Sequence, residues 1–322
     1  MPRKVILRIS RGDFDDNAVW FMRQAGRYIP EYEEIKRGRK FSDILADEDA
    51  IYRLSILPMK YIKTDGIVMF TDILVPLRSM GFNVTYENGI EVTKEESVSP
   101  FSYNGLSSAI KRVSENYGDM TIIGVMGGPF TTLSYVYDKG RSGYHLTKRE
   151  VLEKGDVLLS NIIESILGFG KLQADSGVDV IQIFDSWLGS LSETFYEMHV
   201  RKWEEYFVEK VKELGKPVIF FSEGASHLSD VLSRLDVDVF SVDWRRTLGK
   251  YASVFNNHAI QGNLDPNLLD SPDLYLKKEV RRIMNDGKLF RGHVFNLGHG
   301  VPYWADWKKL SMIANEVHSY ER

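Results

Sequence analysis

Two arginines stand four residues apart in Val19-Trp20-Phe21-Met22-Arg23-Gln24-Ala25-Gly26-Arg27-Tyr28, directly after a short apolar, strand-like run. A guanidinium is always charged, and its planar fork matches a carboxylate bidentately. With Gly26 allowing close backbone approach, the pair suits a site that grips a polyanion. The same spacing also fits a basic pair on the first turn of a helix. Other groups able to do acid–base or electrostatic work follow later apolar runs: Asp72, Tyr135, Ser186, Glu223, Asp243-Trp244-Arg245, and His299 between two glycines.

Something must bring such distant residues together. Apolar runs recur at residues 19–22, 66–70, 121–125, 178–184, 217–221, 237–242, 259–262 and 293–297. Most are rich in Val, Ile and Phe without strict alternation, the pattern of parallel strands buried on both faces. Segments of helical periodicity separate them, including 158–172, 193–214 and 268–285. Eight strands alternating with helices predict a single-domain (β/α)8 TIM barrel over residues 1–322, whose chemistry lies past the carboxyl ends of the strands. A doubly wound open sheet is the alternative, but no Gly-x-Gly-x-x-Gly turn follows the first run. Phe82–Thr93 alternates around Asn88-Gly89, which predicts a β-hairpin insertion after the second strand with a type I′ turn, either a lid or plain decoration.

Each polar residue at a strand end also has a bland reading. Asp72, and Asp185 or Ser186, could serve only as helix N-caps. Tyr135 could be a core tyrosine with a tethered hydroxyl. His299 is harder to explain as packing, because flanking glycines cost order unless the backbone needs them.

Composition narrows the classes. The chain has 322 residues, 43% hydrophobic and 12% aromatic, enough for a sizeable core. It has no cysteine, which excludes disulfides and thiolate chemistry and fits a reducing compartment. Net charge is −4 with both signs well mixed, so no basic arm argues for nucleic acid. An anionic ligand would need a positive field local to its site. The first residues lack the apolar run of a signal peptide, and no apolar stretch approaches the roughly 20 residues of a membrane span, so a cytoplasmic location is expected.

The 19–32 segment resembles the N-terminal signature of the uroporphyrinogen decarboxylase family. Thr71-Asp72-Ile73-Leu74-Val75-Pro76, Gly128-Pro129-Phe130-Thr131-Thr132-Leu133-Ser134-Tyr135, Gln182-Ile183-Phe184-Asp185-Ser186, Gln261-Gly262-Asn263-Leu264-Asp265-Pro266 and Phe295-Asn296-Leu297-Gly298-His299-Gly300 resemble further blocks of that family, in order. Two stretches depart from it. Glu223 stands where the family usually has a basic residue, and Val301–Trp307 is unlike the family's continuation after the histidine.

The resemblance implies removal of carbon dioxide from the four acetate side chains of uroporphyrinogen III, giving coproporphyrinogen III without metal, pyridoxal or thiamine. It implies Asp72 as the central catalytic carboxylate, with Arg23, Tyr135 and His299 beside it. Arg27, Gln24 and Ser186 would bind substrate, and the protein would be a homodimer. An aspartate at the centre has a physical rationale, since one carboxylate can accept several pyrrole N–H donors at once. Three rival readings remain open. A cobalamin-linked methyltransferase would need zinc ligands that such enzymes generally draw from cysteine. A tetrapyrrole carrier would keep the cleft without the chemistry. An aldol or proton-transfer barrel enzyme would usually want a lysine or paired carboxylates at the mouth.

Overall fold

All eight apolar runs become parallel strands of one sheet in a computed structural model that describes residues 4–14, 16–87, 89–95, 102–140 and 143–321. They are β1 (Ala18–Val19), β2 (Gly66–Val68), β5 (Thr121–Gly127), β6 (Val180–Phe184), β7 (Val218–Ser222), β8 (Val239–Val242), β9 (Ala259–Gln261) and β10 (Gly292–Phe295), while β3 (Phe82–Thr85) and β4 (Glu91–Lys94) form a separate antiparallel pair. The sheet runs β1-β10-β9-β8-β7-β6-β5-β2, so its two ends are consecutive in sequence and curl towards each other as a nearly closed (β/α)8 barrel.

The lack of alternation follows from burial on both faces. Ile219 and Phe221 of β7 point into the barrel with Val180 and Val239, whereas Val218 and Phe220 pack outward against the helices. The short helix Val5–Ser10 lies against the strands with Ile6 and Ile9 fully buried in the inner cluster. Across the barrel interior, Trp20 Nε1 donates to Gln261 Oε1 (2.8 Å), and Gln261 Nε2 donates to Gln182 Oε1 (3.0 Å) and Ser241 Oγ (2.9 Å). These buried polar groups satisfy one another, as a low-dielectric interior requires.

Side chains bridge the seam between β1 and β2. The Val19 N–H donates to the Asp65 carboxylate (2.8 Å), the Asp65 N–H donates to the Val19 carbonyl (2.8 Å), and His318 Nε2 lies 2.8 Å from the same carboxylate. Gln24 Nε2 completes the joint by donating to the Gly66 carbonyl (2.9 Å). β1 is shorter than the apolar run because the chain after Trp20 leaves the sheet to build a loop at the barrel mouth.

The insertion after β2 is a hairpin, with Val84 paired to Val92 and Thr85 to Glu91. The ladder ends at Thr85 and Glu91, Glu87 and Gly89 form an isolated bridge beyond it, and Asn88, at the centre of the expected type I′ turn, lies outside the described residues. No described helix is long and apolar enough to cross a membrane.

Candidate active site

Arg23 is seated from three directions. The backbone of Met22, just before it, is clasped: its N–H donates to Asn296 Oδ1 (3.0 Å), and its carbonyl accepts the Val301 N–H (2.8 Å). Arg23 has a left-handed backbone, φ 58°, a conformation costing a non-glycine residue on the order of 1 kcal/mol or more. Its stem crosses Gly300, where a Cβ would fall 2.5 Å from Arg23 Cδ. Gly300 thus makes room for the arginine, and Gly298 lets the loop pass against the Trp244 backbone. The glycines around His299 serve close approach.

So placed, the Arg23 charge acts on Asp72, Tyr135 and His299 together. Asp72 follows β2, with one oxygen accepting the Leu74 N–H (2.7 Å) in a local turn. The Tyr86 hydroxyl, from the hairpin loop, is directed at the same carboxylate. Burial pushes the Asp72 carboxyl above the ordinary aspartate range, opposed by the Leu74 N–H, Tyr86 and Arg23. Its capping contact therefore coexists with the approach of Tyr86 and the charge of Arg23.

Tyr135 sits on the helix Pro129–Asp138, its ring against Gly140 and 6.5 Å from the Trp187 ring. Burial, then Asp72, hold its phenol above the usual value. Asp185 aims this helix: its carboxylate accepts the Phe130 N–H (3.2 Å), the Thr131 N–H (2.8 Å) and the Thr131 hydroxyl (2.5 Å). Asp185 is a cap, as one reading of it had it, but for the helix after the neighbouring strand. Ser186 opens the 3-10 turn Ser186–Ser190 just beyond, and its carbonyl accepts the Glu223 N–H (3.1 Å).

On the opposite rim, His299 Nε2 lies 3.4 Å from Glu223 Oε2, and Arg245 Nη2 donates to Glu223 Oε1 (2.8 Å). Arg245 Nη1 also meets the buried Asp243 carboxylate at 2.5 Å, and its guanidinium lies over the Trp244 ring. Burial, then the Arg23 charge, push the His299 imidazole below its usual value, while Glu223 pulls it up. Asn263 ties these loops, donating to the Asp243 and Arg246 carbonyls (both 2.8 Å).

The Arg23 charge thus reaches Asp72, Tyr135 and His299, and Ser186 is tied to the His299 side of the group only through the Glu223 N–H on its carbonyl. Arg27 stands apart, its side chain 66% exposed with Nε 3.7 Å from Glu33 Oε1. Gln24 does not reach the cleft as expected. It is 1% exposed; its Oε1 accepts the Phe21 N–H (3.2 Å) and its Nε2 serves the barrel seam, so the amide supports the arginine loop. Sequence reasoning missed Tyr86, whose loop carried no catalytic signal, and the Glu223–Arg245 pair. Opposite charges at neighbouring strand ends were the available sign of that pair.

Comparison with known proteins agrees along the whole chain. The family model described as "Uroporphyrinogen decarboxylase (URO-D)" matches residues 1–320. The uroporphyrinogen decarboxylase of Picrophilus torridus is 37% identical over 98% of this chain and 99% of its own length. That of Aquifex aeolicus is 32% identical over 99% of each. Among solved structures, a methyltransferase from Methanosarcina mazei superposes with a TM-score of 0.80 over 97% of this chain and 96% of its own, at 17% identity. That likeness speaks for the barrel alone.

Proposed function

The chain belongs to the uroporphyrinogen decarboxylase family and decarboxylates uroporphyrinogen, and from that premise we propose how its own residues do so. Asp72, Arg23, Tyr135 and His299 form the catalytic group, Arg27 and Ser186 bind substrate carboxylates, and Gln24 holds the arginine loop. The observation that carries this reading is the single Arg23 charge acting on Asp72, Tyr135 and His299 at once.

The chemistry follows from the substrate. Uroporphyrinogen III carries four acetates and four propionates on a flexible ring of pyrroles whose N–H groups converge. Asp72 accepts those donors and stands opposite the positive charge that develops in the ring. Protonation of a pyrrole α-carbon makes a cationic ring that takes up the electron pair of the breaking C–C bond as carbon dioxide leaves. The exocyclic methylene is then protonated to a methyl group, and loss of the α-proton restores the pyrrole. Each cycle converts one carboxylate and one proton into a methyl and carbon dioxide, so the substrate serves as its own electron sink. Four cycles give coproporphyrinogen III without a cofactor.

Arg23 supplies positive charge beside the departing carboxylate. Guanidinium is a very weak acid, so protons are delivered by His299 or by water held on Arg23. We place the enzyme in the cytoplasm as a homodimer. The exposed Tyr303 and Trp304, a few residues past His299, support a partner at the barrel mouth, and sedimentation at twice 37.0 kDa is the check.

The deciding experiment is anaerobic incubation with freshly reduced uroporphyrinogen III, followed by oxidation and chromatographic counting of carboxylates. Stepwise loss from eight to four carboxylates is expected without added cofactor. Asp72→Asn should lower kcat by roughly 100-fold or more, the scale of losing one preorganised electrostatic partner. Near-normal turnover in that variant would remove Asp72 from the centre of the reaction.

A further inference from the structure

Glu223 is a carboxylate at the mouth of a cleft that must accept a polyanion, and such a charge repels the ligand unless something holds it. Its side chain is only 16% exposed and is fixed on both sides. Oε1 accepts from Arg245 Nη2 at 2.8 Å, while Oε2 lies 3.4 Å from His299 Nε2. Arg245 cannot swing away, because Asp243 holds its other nitrogen at 2.5 Å and the Trp244 ring lies beneath it, 4.2 Å away. Asp243, 1% exposed, also accepts the Gly224 N–H (2.6 Å) and the Arg245 N–H (3.2 Å), so both loops are set by one buried carboxylate.

We propose that Glu223 is a positioning residue for His299, orienting the imidazole on the cleft wall and keeping it able to carry a proton. The inference rests on His299 facing the substrate, the role given it above. The groups acting on this imidazole come from three strand ends: Arg23 after β1, Glu223 after β7, and Trp244 and Arg245 after β8. The two arginines disfavour imidazolium, and Glu223 is the charged side chain that favours it. Without Glu223, His299 would face Arg23 and Arg245 alone and would be pushed further below its usual value. With it, Glu223 offsets Arg245, and the imidazole takes up a proton more readily beside the place where a substrate carboxylate must lie.

The test is a histidine-ring NMR titration of the substrate-free protein, with the His299 signal assigned by its loss in His299→Gln. Glu223→Gln should shift the His299 titration down by about one pH unit, the scale of losing one close opposite charge. The basic limb of kcat/KM should move down with it, since protonated His299 is lost as pH rises through its pKa. Glu223→Asp should restore part of both. Should Glu223→Gln fail to fold, Arg245→Met reads the same network with opposite sign, raising the His299 titration. A His299 titration unmoved by these variants overturns the positioning role, even where the wild type turns over. If it moves while the wild type leaves uroporphyrinogen intact, the coupling stands and the substrate reading falls.

Discussion

Arg23 and Arg27 look alike in sequence and are opposites in structure. Arg23 is over-determined: a left-handed backbone, a clasped neighbour at Met22, and a glycine cut away beneath its stem. Such expense at one residue is usual where geometry matters to the reaction. Arg27 is largely exposed, pairs loosely with Glu33, and is free to follow a ligand. That difference predicts a split in kinetics. Arg27→Gln should raise KM about tenfold, the value of about 1.4 kcal/mol of carboxylate binding, with kcat within roughly twofold of wild type. Steady-state kinetics on reduced substrate would show it, and a fall in kcat with KM unchanged would put Arg27 in the transition state instead. The sequence could nominate both arginines but not tell them apart, because the distinction lies in contacts with Asn296, Gly300 and Val301, far along the chain.

Between elements, the informative joint is a buried pair of acids. Asp185, after β6, caps the helix bearing Tyr135, and its charge acts on the buried Glu204 carboxyl of the helix Arg201–Lys212. Both are fully buried, and burial pushes both carboxyls up, Glu204 much further because Asp185 is beside it. With three donors already on Asp185, Glu204 keeps the proton. Unfolded, Glu204 ionises in the ordinary glutamate range; folded, it stays neutral far above it, so the fold loses stability as pH rises between those values. Glu204→Gln has no proton to surrender. It should melt above wild type at pH 8, with the gap closing towards pH 4.5, in calorimetric scans across pH; equal melting at every pH would show the pair does not share a proton. Hydrophobic periodicity revealed the strands and helices themselves, since burial on both faces leaves a strong signal in Val, Ile and Phe. It revealed nothing of this joint, because a buried glutamate in Trp203-Glu204-Glu205 reads as one more surface charge. The hairpin was similarly half legible: its alternation fixed the strands, but nothing in it signalled that Tyr86, just past the first strand, turns to Asp72.

At the scale of the molecule, the barrel closes through one backbone hydrogen bond, the Asp65 N–H to the Val19 carbonyl, and otherwise by side chains. No ladder joins β1 to β2; Asp65 and Gln24 do that work, with His318 from the last helix on the same carboxylate. Asp65→Ala leaves the Val19 N–H without its acceptor and should cost about 1–3 kcal/mol. Thermal melts would register this as a lower Tm, and kcat should fall as well, because the seam also steadies the Arg23 loop. Loss of stability with full kcat would separate seam from site. The strand count announced a barrel, whereas its manner of closing was invisible, since Asp65 and Gln24 sit beyond the apolar runs that signal strands. β1 has a ladder only with β10, almost at the far end of the chain, and the clasp on Met22 comes from Asn296 and Val301 just after β10. A polypeptide still emerging from the ribosome therefore owns Arg23 early but has no seat for it until β10 and the loop after it have been made. A chain stopped before residue 292 would therefore be silent however well its middle had folded.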